Sequence, residues 1–406
     1  MTSLFNNFKL LSHNRNFRLL YAGQFISFIG TMVTSVALPF QVYQLTHSTL
    51  MVGALSIVQL LPLLFTALLG GVIADHHNRR FLLFSTEILL SLSCLGLAWN
   101  AQQLSPSITL IFLLASFMSA ITGLHRPALE SIVQQIVAKN DFPALGSLIS
   151  LKRSVCMIAG PALGGLIISH YGITTTYVVD CASFLISLLM LLLMSHIPNP
   201  DTQNKQSTWL SLREGVSYAF SRQDLIGSYL VDFVAMIFGM PNALFPAIAS
   251  SLGGVKTLGL LYSAPAVGAL IISLFSHWAS RIKRHGVAIA VSASLWGVSI
   301  IFFGLSQHLY IALICLAFAG AFDALSGIYR SIMWNETIPN HFRGRLAGLE
   351  MVSYLSGPRL GDAEAGFVAA AFSISTSIIS GGVMCVLGVV ACCYFLPKFW
   401  HYRSEL

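Results

Sequence analysis

Apolar residues run along most of this chain in blocks of about twenty, and the polar residues collect in short segments between them. A helix of about 20 residues spans the roughly 30 Å of bilayer hydrocarbon. Twelve blocks fit that length, at about 17–44, 49–74, 81–101, 107–137, 143–170, 173–195, 224–250, 257–279, 286–306, 308–338, 346–371 and 374–396. The two-residue alternation of membrane β-barrel strands is absent. The pattern predicts an all-α, polytopic membrane protein with twelve transmembrane helices.

Composition agrees, because charged residues make up 9% of the chain and hydrophobic ones 55%. Soluble domains carry about 25% charged residues and clothe their surface with them. The net charge of +7 points to topology, not to nucleic acid. With the amino terminus inside, sixteen of the 22 Lys/Arg fall in cytoplasmic segments, five within spans and Lys256 alone outside. Such a bias in short loops orients a membrane protein and places both termini in the cytoplasm. It also suits contact with anionic lipid. The first apolar block is too long for a cleaved signal peptide and no A-x-A site follows it. All seven cysteines sit in predicted spans without zinc or redox spacing, so packing is their expected role and no metal or cofactor is expected.

After the sixth block comes IPNPDTQNKQSTW, a polar linker, and then LREGVSYAFSRQDL, a predicted helix on the cytoplasmic surface. They divide the chain into 1–196, 197–222 and 223–406. The halves echo one another at an offset of 204 residues: Arg18 with Arg222, Gly23 with Gly227, Arg79-Arg80 with Lys283-Arg284, and Gly123-Leu-His-Arg126 with Gly327-Ile-Tyr-Arg330. Four matches in one register predict two pseudo-symmetric six-helix bundles. Arg126 and Arg330 then occupy sister positions on the fourth and tenth spans. An ionised group at bilayer depth costs several kcal/mol, about 3 on insertion scales, so it faces a cavity or a partner. Either the two arginines line a shared central cavity, or each is tied locally, as by an i,i+4 pair of Arg126 with Glu130.

The second and third spans are joined by GGVIADHHNRRF. Gly71, then Asp75 four residues on, then the basic pair Arg79 and Arg80, resembles the signature loop of the major facilitator superfamily. The resemblance extends to the twelve spans, the six-plus-six repeat and the central linker. It implies a charge latch between this loop and nearby helix ends; otherwise the arginines only set topology. In SHWASRIKRHG the basic residues persist, but Ala279 stands where Asp75 would recur. The fifth span holds AGPALGGLI, whose Gly160, Pro161, Gly164 and Gly165 permit bending and close helix approach. It resembles the antiporter signature of exporters in the same superfamily, although helix packing alone would use the same residues. The stretches MIFGMPNALFPAIAS, LYSAPAVGAL, GAFDALSGIYRSIMWNETIPNHFRGRL and SGPRLGDAEAGFVAA resemble the enterobactin-exporter-like branch. That branch expels siderophores, and some relatives expel macrolides and other drugs.

No G-x-x-x-x-G-K-[ST] phosphate loop, H-E-x-x-H or G-x-S-x-G motif occurs, so neither an ATP-driven pump nor an enzyme is expected. Proton coupling needs acids that exchange partners as access alternates. The candidates are Asp232 on the seventh span, Asp323 on the tenth, and Asp362 and Glu364 on the eleventh, each with a fixed ion pair or packing bond as the alternative. Asp323 shares a helix face with Arg330, and Arg359 is spaced to pair with Asp362. Lys152 and Arg153 on the fifth span lie near the depth of Arg126, though adjacent helical residues cannot both face one way. Such cations suit an anionic cargo, and snorkelling to headgroups would explain them without one. The expectation is a monomeric, proton-coupled exporter of a small anionic metabolite such as a siderophore, in a bacterial inner membrane. Its partners are the small-molecule substrate, protons and lipid. The alternatives are broad drug efflux and a non-transporting membrane sensor or scaffold.

Overall fold

The computed structural model describes residues 10–76, 78–195, 217, 218 and 220–404, and its regular elements are all helical. In chain order these are α1 (Arg15–Thr46), α2 (Thr49–His76), α3 (Arg79–Ala101), α4 (Ile108–Ile136), α5 (Phe142–Leu193), α6 (Gln223–Gly239), α7 (Phe245–Leu252), α8 (Val255–Phe275), α9 (His285–Leu305), α10 (Leu309–Thr337), α11 (Asn340–Ala371), α12 (Ile374–Phe395) and the short α13 (Pro397–Trp400). Among the described residues, ten segments are long and apolar enough to cross a membrane, with α6 and α7 forming one of them.

Two further crossings complete the twelve. The helix α5 has 52 residues, and Gly172 interrupts it with φ 82° and ψ 173°, a conformation only glycine adopts freely. Its first limb runs parallel to α1: Tyr21 bonds to Leu148, Cys156 to Phe25, and Gly164 lies against Val33. Its second limb runs antiparallel, with Ser187 near Gly23, Asp180 bonded to Thr34 and Tyr177 to Gln41. The chain therefore reverses at Gly172, and α5 is two spans. The other crossing is α11, whose 32 residues carry Arg343, Arg345, Glu350, Arg359, Asp362 and Glu364 and so dilute its apolar character. The outer faces are apolar: Leu92, Leu113, Leu166, Phe318 and Leu387 are exposed in mid-helix, as a lipid solvent requires.

The described residues divide into two compact units, one within Met1–Thr46 and Val58–Gln203, the other within His47–Ile57 and Asn204–Leu406. Thus α2 starts with the second unit and continues in the first. The predicted linker and surface helix lie almost wholly outside the described residues.

In the first unit, α1 buries Gly23, Ser27, Gly30, Thr34, Ala37 and Gln41, small or polar residues three or four apart that form a seam along one face. Lipid provides no hydrophobic drive between helices, so close backbone approach and interhelical hydrogen bonds hold them together. In the second unit the seventh span is broken. The helix α6 stops at Gly239, a single turn covers Asn242–Leu244, and α7 follows. The groups freed by that break find side-chain partners. Trp296 Nε1 donates to the Gly239 carbonyl at 3.1 Å, Tyr262 Oη to that of Asn242 at 3.1 Å, and the Ala243 N–H donates to Asp362 Oδ1 at 2.9 Å. A broken helix is tolerated at membrane depth because such partners replace the lost backbone bonds.

Candidate transport site

The arginine that follows the apolar run of α4 has basic company. Arg126, Lys152 on the first limb of α5 and the adjacent His125 act on one another electrostatically. Arg126 and Lys152 are partly buried and Arg153 is exposed, so the adjacent basic pair divides between two directions. Glu130, one turn beyond Arg126, is exposed. Behind the cations lies a polar network that sequence reasoning missed. It joins Gln24 of α1, Thr86 and Glu87 of α3, His125 of α4 and Ser187 of α5. A second buried acid, Asp180, accepts from Thr34 Oγ1 at 2.5 Å, Ser183 Oγ at 3.2 Å and Cys94 Sγ at 3.4 Å. The signal was present in the sequence, an acid within FLLFSTEILLSLS and another within TTTYVVDCASFL.

In the loop between the second and third spans, Gly71 and Asp75 lie on α2, but their surroundings are outside the described residues. Asn78 caps α3, its Oδ1 accepting from the N–H groups of Arg80 and Phe81. Arg79 Nη1 reaches the Ser131 carbonyl of α4 at 3.5 Å. Arg80 Nη2 donates to the carbonyls of Leu191, Leu192 and Met194 at 2.7, 3.2 and 3.0 Å, which places a cation on the C-terminal end of α5. Replacing Arg80 by alanine is expected to lower stability by about 1.5–3 kcal/mol, the scale of charged hydrogen bonds. Thermal unfolding in detergent reads this, and Arg80→Lys should recover part of the loss. The glycine motif of the fifth span packs on α1: Gly160 lies against Met32 and Ile29, Gly164 against Val33 and Val36, and Pro161 and Gly165 are buried beside them.

In the second unit Arg330 of α10 forms an ion pair with Asp232 of α6, with side chains 11% and 9% exposed. Two sequence candidates assigned to different tasks are thus direct partners. Glu350 and Tyr229 lie within electrostatic reach of the pair, and Tyr229 stacks on Trp334 at 4.8 Å. The position equivalent to Asp232 in the first unit is Phe28, so the sister arginines sit in unlike surroundings. Asp362 of α11 accepts from the Ala243 N–H and, at 3.2 Å, from Ser56 Oγ on the first turns of α2. There Gly53 lies against Asp362 and Ala363, while Gly366 meets Thr49 and Gly53. Arg359 is in electrostatic reach of Asp362. Asp323 and Glu364 are partly buried on α10 and α11.

Beyond the spans, Asp224 pairs with Arg222 and holds that guanidinium above its ordinary range. Burial, together with the Glu336 carboxylate that accepts its hydrogen at 2.9 Å, raises the Tyr402 phenol above its usual range.

Twelve crossings in two units, with charged residues at membrane depth and a basic loop capping a helix end, define a secondary transporter of the major facilitator superfamily. Its substrate is a small molecule. More narrowly, the chain belongs to the transmembrane secretion effector family, whose model matches residues 8–402. It is similar to the enterobactin exporter EntS of Escherichia coli, with 28% identity over 98% of this chain and 96% of that protein. The enterobactin exporter EntS of Shigella boydii is 28% identical over 95% and 92%. Among solved structures, a mutant of the peptide transporter POT superposes with a TM-score of 0.76 at 12% identity, over 97% of this chain and 96% of that one. A mutant of the nucleoside transporter NupG gives 0.73 at 17% identity, over 94% and 99%. At those identities the likeness is one of fold.

Proposed function

We propose that this protein is a proton-coupled exporter that moves a small anionic metabolite, of the siderophore class, out of the cytoplasm by alternating access. It acts as a monomer in a bacterial inner membrane, with both termini in the cytoplasm. The observation that carries the reading is the similarity to enterobactin exporters along 98% of the chain. The neighbouring Arg126 and Lys152 support it, because cations held at membrane depth offset the desolvation of an anionic cargo.

In this reading Arg126, Lys152 and Arg330 contact the cargo, and Arg153 serves the lipid headgroups. Asp232, Asp323, Asp362 and Glu364 are the acids available to carry protons. Asp362 is the best placed of them, since its carboxylate ties the first turns of α2 to the break between α6 and α7. An ionised carboxylate accepts both of those bonds, whereas a protonated one gives up an acceptor site. Its protonation thereby bears on helix packing. The loop of Gly71, Asp75, Arg79 and Arg80 latches helix ends in one conformer, and the motif of Gly160, Pro161, Gly164 and Gly165 lets the fifth span move closely against α1.

The test is secretion of enterobactin by iron-starved producer cells that lack their own exporter and express this chain. Secretion should be restored and should stop when a protonophore collapses the gradient. Arg126→Gln should lower it about tenfold or more, the scale of one lost charge-assisted bond. No secretion from the wild-type chain, or full secretion from Arg126→Gln with Arg330→Gln alongside acquired macrolide resistance, would replace this reading with broad drug efflux.

A further inference from the structure

The first unit buries a carboxylate and an imidazole that the reading above does not use. Glu87 is 0% exposed in mid-span on α3. Its Oε1 accepts from Gln24 Nε2 at 2.6 Å and from Ser187 Oγ at 2.9 Å, while its Oε2 is buried with no hydrogen-bond partner among the described residues. His125 Nε2 lies 3.9 Å from Oε1, and the His125 side chain is 12% exposed.

The direction of each bond can be followed through this network. Thr86 Oγ1 lies 3.0 Å from the Leu82 carbonyl and 2.9 Å from that of Leu83, so its rotating hydrogen has backbone acceptors to turn to as well as the ring. Toward His125 Nδ1, 3.0 Å away, it therefore presents a lone pair to a protonated nitrogen and its hydrogen to a bare one. Gln24 turns its amide nitrogen to the Glu87 carboxylate, which leaves its carbonyl Oε1 facing His125 Nε2 at 3.3 Å. Both ring nitrogens thus have an acceptor within reach, and the neutral ring is satisfied as well. Only the doubly protonated imidazolium donates from both, and Glu87 is the counter-charge at hand.

The surroundings make this a site of one half of the molecule. Arg126 and Lys152 act on His125 from the cationic side, and Asp180, bonded to Cys94, acts on Glu87 from the other. At the repeat offset of 204, Glu87 corresponds to Val291 and His125 to Tyr329. The second unit is built without the pair, so a six-helix bundle of this kind does not need it to fold.

We propose that Glu87 and His125 together bind one exchangeable proton of the transport cycle, entering through the partly exposed ring, with Gln24 passing its occupancy to α1. The proposal rests on the proton-coupled reading and adds a proton site in the first unit to it. His125 is also sequence neighbour to Arg126, so a change in the ring's bonds acts on the helix that presents that cation.

Nitrogen NMR of histidine rings in lipid-reconstituted protein tests the site, with His125→Gln identifying the signal by its loss. The wild type should show His125 take up a second ring proton as the pH falls from mildly alkaline to mildly acidic. Glu87→Gln, which keeps shape and volume, should convert the ring to the neutral form. Thr86→Val, should the first variant not fold, should weaken proton binding about tenfold, the scale of one lost charged hydrogen bond. A neutral ring in the wild type from mildly acidic to mildly alkaline pH overturns the proposal. Flux separates the two readings, with enterobactin as the probe in proteoliposomes under an imposed pH gradient. A wild type that responds to the gradient and a Glu87→Gln variant that responds equally sink the pair while sparing proton coupling. A wild type indifferent to the gradient sinks proton coupling itself, and the transport role of the pair with it.

Discussion

Replacing Asp232 by asparagine is expected to destabilise the transporter by about 3–5 kcal/mol, the scale of breaking one partner out of a buried ion pair. Arg330 would be left as a guanidinium 11% exposed, and arginine stays charged at any accessible pH. Its Nε is already buried without a hydrogen-bond partner among the described residues. Glu350, within electrostatic reach, would offset only part of the loss. Arg330→Gln should be milder, because a stranded carboxylate can be neutralised by a proton and a stranded guanidinium cannot. The double variant Asp232→Asn/Arg330→Gln should regain most of the stability, since neutral amides of similar shape leave no buried charge. Unfolding of the purified protein in detergent gives all three numbers. Single variants that each cost under about 1 kcal/mol would mean that water reaches the pair and screens it.

The pair also marks how far the sequence could be read. The positions of the spans, the repeat and the sister arginines were legible because each is local or periodic. Apolar length locates a helix, and a fixed offset locates its twin. The partner of Arg330 was not legible, because Asp232 lies on another helix 98 residues earlier and meets it only through packing. Asp323, on the same helix as the arginine, was the natural sequence candidate for that reason. The turn at Gly172 shows the same division: the two apolar blocks, with only residues 171 and 172 between them, were evident, and the single glycine conformation that reverses the chain was not. Glu87 was visible as an acid in an apolar run, but its meaning was not. Its partners Gln24, His125 and Ser187 come from three other helices, and only their packing turns four separate polar residues into one network.

Asp362→Asn should separate proton traffic from architecture. Asparagine keeps an oxygen for the Ala243 N–H, and its amide nitrogen can donate to Ser56 Oγ, which reverses one bond without removing it. Stability should therefore change by no more than about 1 kcal/mol, the net worth of an ordinary hydrogen bond. What is lost is a group able to bind and release a proton. If Asp362 carries the coupling proton, the variant should still exchange cargo across the membrane when concentrations alone drive it. Its response to an imposed pH gradient should vanish. Asp362→Ala supplies the contrast, for it leaves the Ala243 N–H buried without an acceptor, at about 1–3 kcal/mol. It also removes the bond to the first turns of α2, so both stability and exchange should fall. A gradient response that survives in Asp362→Asn and fails in Asp362→Ala would make this carboxylate a fastener of the broken seventh span. The coupling proton would then belong to another acid, with Glu87 of the first unit next to be tried.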